Sequence, residues 1–319
     1  MKKVLMLAML SCVPALAQEE TPPKNDLLSK LKISGYLQGQ YVNDDAARDQ
    51  FSVRRGRLKF TYQATPTARL VLQPDISSSG VTLRDGYVEL IEPWTSWKHT
   101  LTAGQFSWPF GFEIGYSSSQ RELPERSRVI RTLFPGERDR GVMLSGRGMQ
   151  DRFSYKVAVV NGNGTTASAD TNDRKDVLGR VGYEFGPLGV GASVYRGSDL
   201  VDGRELDKER QGVDVQWTTP LPGLAVRGEY ISGKQTGADV DGWYFYAIQN
   251  IGTRHQLAAR IDEYDPNTEA GDDATRTLGG SYIFHWDKHS KVMLAYERPR
   301  REGNDPGDNV LTVRYQYAF

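Results

Sequence analysis

The chain ends Leu311-Thr312-Val313-Arg314-Tyr315-Gln316-Tyr317-Ala318-Phe319. Its odd positions are all aliphatic or aromatic, whereas Thr312, Arg314 and Gln316 place polar groups at even ones. A strand sends successive side chains to opposite faces, so this stretch has one apolar face and one mainly polar face. In water it reads as a half-buried edge strand. Alternation running to a final aromatic equally fits the closing strand of a barrel set in lipid. Repetition of the pattern along the rest of the chain decides between the two.

From Leu31 onward, segments of about ten residues alternate with period two and are broken by turn signals. They fall near 31–42, 51–62, 68–76, 81–91, 98–107, 139–148, 152–161, 176–185, 188–197, 210–219, 223–233, 241–251, 253–264, 274–285, 290–299 and 309–319. That is about sixteen strands, an even number, as single-chain outer-membrane barrels require. Alternate links are short: 65–67, 92–98, 149–151, 186–187, 220–222, 251–252 and 285–289. The intervening links are longer and polar at 43–50, 108–138, 162–175, 198–209, 234–240, 265–273 and 300–308, with 77–80 the exception. Short periplasmic turns and long outer loops are the connection pattern of such barrels.

Aromatics mark the strand ends. Phe60, Tyr62, Phe153, Tyr155, Tyr183, Phe185, Trp217, Phe284, Trp286, Tyr317 and Phe319 form the expected periplasmic girdle. Tyr41, Phe106, Trp108, Tyr195, Tyr230, Tyr264 and Tyr296 form the expected outer one. Rings with a polar tip concentrate at both interfaces, where one end is apolar and the other wet. The fold expected is all-β: a transmembrane antiparallel β-barrel over residues 31–319, in the outer membrane of a Gram-negative-type bacterium and in contact with its lipid. A chain closing on Phe319 also resembles the signal read by the barrel-assembly machinery, an expected partner.

The N-terminus supports export. Met1-Lys2-Lys3, the apolar run Val4 to Leu10 and Ala15-Leu16-Ala17 predict a signal peptide over 1–17. Ser11-Cys12 leaves a lipoprotein signal open, although Met9 suits that signal poorly. Residues 18–30 read as a polar periplasmic lead-in. Cutting after Ala17 removes the only cysteine, and with it disulfides and thiolate chemistry. Lys plus Arg and Asp plus Glu are 40 each, so net charge implies no nucleic-acid partner. A mean hydropathy of −0.54 would suit a soluble chain, but in a barrel only every second residue meets lipid.

The face opposite the lipid lines the lumen and carries Arg55, Arg57, Lys59, Arg69, Asp85, Glu89, Arg147, Lys156, Arg180, Glu184, Asp214, Arg227, Glu229, Arg260, Asp262 and Arg314. Arg55, Arg57 and Lys59 form a column about 6–7 Å per step on one strand, repulsive unless anions or facing carboxylates occupy it. Columns of Arg and Lys are how anion pores are built. The link 108–138, WPFGFEIGYSSSQRELPERSRVIRTLFPGER, is longer than an ordinary loop and is expected to fold inward as the constriction. Its WPFGF opening and LFPG segment supply apolar anchors, and Arg121, Arg126, Arg128, Arg131 and Arg138 supply charge against Glu113, Glu122, Glu125 and Glu137. The candidate anion pathway is therefore Arg55, Arg57, Lys59, Arg121, Arg126, Arg128, Arg131 and Arg138.

Several motifs carry a family resemblance. Gly104-Gln105-Phe106, Pro109-Phe110-Gly111-Phe112-Glu113, Ser117 to Ser119, Glu125-Arg126-Ser127 and Arg138-Asp139-Arg140-Gly141-Val142, followed by Gly146, resemble the central signature of the phosphate-selective porins O and P. Ser34-Gly35-Tyr36-Leu37-Gln38, Arg54-Arg55-Gly56-Arg57-Leu58 and Asp85-Gly86-Tyr87-Val88-Glu89 are similar to that family's first strands. The resemblance spans about 31–319. It implies a sixteen-stranded channel, usually a homotrimer, in which basic residues attract anions such as phosphate and the third loop narrows the pore. The chain is short for the family, and Asp85, Glu89, Glu184 and Glu229 share its lumen with the arginines.

Enzyme chemistry has little footing. No G-x-S-x-G elbow, Walker loop or H-E-x-x-H is present, and His285 and His289 fall in a predicted turn. No metal or other cofactor is expected. An outer-membrane lipase is the enzymatic alternative, but nothing pairs a Ser with a His. The expected function is passive diffusion of small hydrophilic solutes, biased to anions such as phosphate. A general, weakly selective porin and a structural barrel without a conducting pore are the alternatives.

Overall fold

The computed structural model describes residues 24–165, 170, 172–303 and 307–319. The expected signal peptide and the first part of the lead-in lie outside these. A short helix α1 (Lys24–Ser29) leads into β1 (Leu31–Asp44), β2 (Gln50–Thr65), β3 (Ala68–Ser77), β4 (Gly80–Ile91) and β5 (Thr100–Ser107). Helix α2 (Arg128–Leu133) sits within the long third outer loop. Then follow β6 (Arg138–Gly148), β7 (Phe153–Val160), β8 (Asp176–Phe185), β9 (Leu188–Val201), β10 (Arg204–Thr218) and β11 (Leu224–Gln235). The last five are β12 (Ala238–Ile251), β13 (His255–Asp265), β14 (Thr275–His285), β15 (Ser290–Arg301) and β16 (Val310–Ala318).

All sixteen strands join one closed antiparallel barrel, each bonded to its sequence neighbours, with β1 completing the ring against β16. The seam is the C-terminal stretch: Gln40 faces Arg314, Gln38 faces Gln316 and Tyr36 faces Ala318. Gly35 and Phe319 exchange both backbone hydrogen bonds at 3.0 Å. Closure leaves no strand edge unpaired, which is the condition for placing a sheet in hydrocarbon.

Burial runs opposite to that of a water-soluble protein. Leu37, Leu72, Val88, Leu144, Val157, Leu257, Leu294 and Tyr315 are exposed on the outer face, while Gln38, Arg55, Arg57, Asp85, Arg260, Asp262 and Arg314 are buried within. This is the alternation of a lipid-facing wall around a polar interior.

Two sets of sequence expectations are corrected. Links 198–209 and 234–240 are not long loops: β9 and β10 continue to a tight turn at Asp202-Gly203, and β11 and β12 to one at Thr236-Gly237. All four turn residues have positive φ, the hairpin geometry that matches strand twist. Above the membrane both faces are wet, so alternation fades although pairing continues. Four residues of the expected outer girdle, Phe106, Trp108, Tyr195 and Tyr264, are buried inside the barrel, leaving Tyr41, Tyr230 and Tyr296 outside. Parity explains it: with Ala192 and Val194 facing lipid, Tyr195 must face inward.

Candidate pore constriction

The inward-facing aromatics seat the third loop. Phe134 lies 4.7 Å from Phe110, 5.5 Å from Trp108 and 6.2 Å from Tyr195, ring centre to ring centre. Ile114, Leu123, Val129, Ile130 and Leu133 complete an apolar cluster inside the lumen. Close approach is possible because both the wall and the loop offer glycines there. A Cβ on Gly242 would meet Val129 at 2.7 Å, and one on Gly111, which has φ +57°, would overlap the Glu229 carboxylate. The Arg126 guanidinium then fastens the loop to itself, donating to the carbonyls of Glu113, Ile114 and Tyr116 at 2.9, 3.0 and 3.1 Å.

From this anchor the loop crosses to the seam. Its carbonyls accept hydrogen bonds from donors on the opposite wall: Ser118 from Gln38 (3.1 Å), Ser119 from Gln316 (3.1 Å), Pro124 from Arg314 (2.7 Å) and Glu125 from Arg260 (2.8 Å). Backbone polar groups far from water need such partners, so the crossing segment is held along its length rather than at one point.

The charged side chains gather on two loop carboxylates. Glu125 accepts from Arg54 twice at 2.9 Å, from Arg55 at 2.7 Å and from Arg314 at 3.1 Å. Glu137 accepts from Arg126 at 2.6 Å, from Arg138 at 3.0 Å and from Arg84. Arg138 also donates to Asp85 at 2.9 Å, and Arg57 to Asp75 and Ser118, each at 2.8 Å. Burial pushes the Glu125 carboxyl up, but Arg55, Arg121, Arg54 and Arg314 outweigh it and hold it well below the ordinary range. Glu137, likewise buried, is held down to about 2 by Arg126, Arg84 and Arg138.

Arg121 stands apart. It is buried, its three guanidinium nitrogens have no hydrogen-bond partner among the described residues, and the nearest carboxylate among them, Glu125, is 3.9 Å away. Burial, then Arg126 and Arg55, make it much less basic than an ordinary arginine. Among the described residues, Arg54, Arg55, Arg57, Arg84, Arg121, Arg126, Arg138 and Arg314 form ion pairs with Glu125, Glu137, Asp75 and Asp85, so arginines outnumber carboxylates in this cluster.

A chamber lies on each side of the loop. One of 560 Å³ on the periplasmic side is lined by Lys59, Glu89, Lys156, Ser117, Arg126 and Arg138 among others. The other, of 480 Å³ on the outer side, is lined by Arg54, Glu125, Arg128, Arg131, Glu297 and Arg314 among others. The two share no lining residue, and Arg121 lines neither.

Of the residues singled out from sequence, Arg55, Arg57, Arg121, Arg126 and Arg138 converge on this partition. Lys59 lies in the periplasmic chamber, and Arg128 and Arg131 in the outer one. Sequence reasoning missed Arg54 and Arg84. Each is the extra residue of a β-bulge: Gln38 pairs with Arg55 but Gly39 with Val53, and Gln73 pairs with Asp85 but Pro74 with Leu83. A bulge lets two consecutive residues act on one side of a sheet. The signal was there to read, because strict alternation would aim one member of Arg54-Arg55 or Arg84-Asp85 at lipid. A cation there costs about 2–4 kcal/mol at the bilayer midplane.

A closed, polar-lined, lipid-faced barrel with its third loop folded across the lumen defines an outer-membrane porin. The chain belongs to the phosphate-selective porin O and P family, whose sequence profile matches residues 34–215. Among solved structures, the fold is similar to an anion-selective porin from Comamonas acidovorans (TM-score 0.69, 15% identity, 91% of this chain and 99% of that one). It is also similar to OmpF of Salmonella typhi in complex with daunomycin (0.68, 12%, 91% and 97%) and to OmpT of Vibrio cholerae (0.67, 12%, 91% and 97%). No curated protein sequence matches the chain. Its place is the bacterial outer membrane.

Proposed function

We propose that this porin passes small hydrophilic anions, phosphate among them, and that the partition around Arg121 sets the preference. The observation that carries the proposal is the buried Arg121 guanidinium, without a hydrogen bond among the described residues, 3.9 Å from Glu125 and beside Arg126 and Arg55, in a cluster where arginines outnumber carboxylates. A buried charge with weak compensation is costly, and in this proposal an anion that leaves either chamber and passes beside Arg121 relieves that cost. The carboxylates Glu125 and Glu137 keep the remaining cations from holding an anion too long, since conduction needs binding weak enough for release. The family description and the anion-selective porin among similar structures support the same bias.

Glu125 lines the outer chamber and holds Arg55 and Arg314, so in this proposal an anion crosses by exchanging with Glu125 on these two arginines. Homotrimeric assembly is part of the proposal, supported by a trimer form among the similar OmpT structures. So is recognition of Phe319 by the barrel-assembly machinery. No enzymatic role is proposed.

The test is chloride current through single channels as inorganic phosphate is added. Wild type should show progressive block, and Arg121→Gln should lose most of it. Equal block in both proteins would remove Arg121 from the mechanism. Absence of current in wild type would favour the structural-barrel reading, to which the separated chambers also point.

A further inference from the structure

The outer face carries a second concentration of arginine, remote from the lumen. Alternation on β13–β15 points Leu257, Leu278, Tyr282, Leu294 and Tyr296 toward lipid, where all are exposed. Continuing the same parity toward the outer rim brings Glu263, Arg276, Arg298 and Arg300 onto that lipid-facing surface. In the register Arg276 lies directly opposite Arg300, and Leu278 opposite Arg298. Like charges directly opposite each other on one face destabilise a strand pair. Glu263 accepts from Arg276 at 2.6 Å and from Trp243 at 3.3 Å.

These side chains surround an outward cleft of 400 Å³, lined by Arg276, Arg298, Arg300, Glu263, Leu278 and Glu302 among others. Its position in the membrane is set by its neighbours. Tyr296 of the outer girdle is two residues below Arg298 on the same face, about 6–7 Å along the strand. The cations therefore stand at headgroup height on the outer leaflet, with an apolar wall of Leu278, Leu294 and Tyr296 directly beneath.

We propose that this cleft is a binding site for a phosphorylated, multiply acylated glycolipid of the outer leaflet. The planar guanidinium fork pairs with phosphate in bidentate fashion, and opposed arginines become favourable once a phosphate sits between them. A lipid meets both halves of the surface: phosphate on Arg276, Arg298 and Arg300, acyl chains on the leucines below. Free phosphate satisfies only the first half, and a second copy of this chain would have to present carboxylates at headgroup height. Continuity of the basic cleft with the lipid-facing wall favours the lipid.

The test is native mass spectrometry of the detergent-purified, folded protein with a bis-phosphorylated glycolipid or its dephosphorylated counterpart. Wild type should retain the phosphorylated form about tenfold better, as expected for charge-assisted pairs to three arginines. The Arg276→Gln/Arg298→Gln/Arg300→Gln variant should lose that preference while its single-channel current matches wild type. Equal retention of the two lipids by wild type overturns the proposal without reference to any variant. Displacement of the lipid by millimolar inorganic phosphate would reassign the cleft to free anions. A variant that changes oligomeric state but not lipid retention would reassign it to a contact between copies.

Discussion

Replacing Glu125 with Gln removes the charge on which four arginines converge. Arg54, Arg55 and Arg314 donate to its oxygens at 2.7–3.1 Å, and Arg121 stands at 3.9 Å. The loop backbone keeps its own ties, because Arg314 still donates to Pro124 and Arg260 to the carbonyl of residue 125. The change is therefore mainly electrostatic. A unit charge 4 Å from a passing ion is worth about 1 kcal/mol in bulk water and about 4 kcal/mol at an effective dielectric near 20. Glu125 is 24% exposed toward the outer chamber, so the lower figure is the safer bound. It corresponds to about a fivefold rise in anion occupancy, since 1.4 kcal/mol is tenfold. The assay is the reversal potential of single channels under a KCl gradient. The anion-to-cation permeability ratio should rise at least about fivefold. An unchanged or lower ratio would place Glu125 outside the ion path and refute the reasoning. Thermal stability should fall in low salt and recover in concentrated chloride, because bound anions replace the lost carboxylate.

Three further outcomes follow from the same geometry. Gly111→Ala forces a Cβ onto the Glu229 carboxylate at a positive φ, so the loop should unseat and single-channel conductance should increase, while the barrel stays heat-modifiable on gels. Glu137 is held at about 2, below the ordinary 4.5. Its ion pairs with Arg84, Arg126 and Arg138 should thus be fully formed above the ordinary value and fail only as pH falls through about 2; conductance recorded from neutral pH downward should show no step from this group near 4.5. Deleting Phe319 removes both backbone bonds to Gly35, and the folded fraction recovered from membranes should fall relative to wild type.

The barrel was legible because lipid imposes period two on every strand, so Leu311 to Phe319 and its fifteen counterparts share one pattern. The apolar anchors of the third loop were legible from composition, as Phe110 and Phe134 have no place in a solvated flap, whereas Trp108 read equally as a girdle residue. What alternation could not convey was its own interruptions. The bulges at Arg54 and Arg84 shift one residue against the neighbouring strand; the adjacent charges hint at them, and the pairing register shows where they fall. Nor did charge type reveal pairing. Arg57 and Arg138 look like free cations in the sequence, yet Asp75 and Asp85 neutralise them across the strands. Arg121 looks no different from its neighbours, yet all three of its guanidinium nitrogens are buried without a hydrogen-bond partner among the described residues.

The central claim, that excess arginine at the loop gives the pore an anion preference, is tested most directly by wild-type protein in a planar bilayer. With concentrated KCl on one side and dilute KCl on the other, zero current should occur at the potential sign set by chloride. A reversal potential of the sign set by potassium would contradict the account.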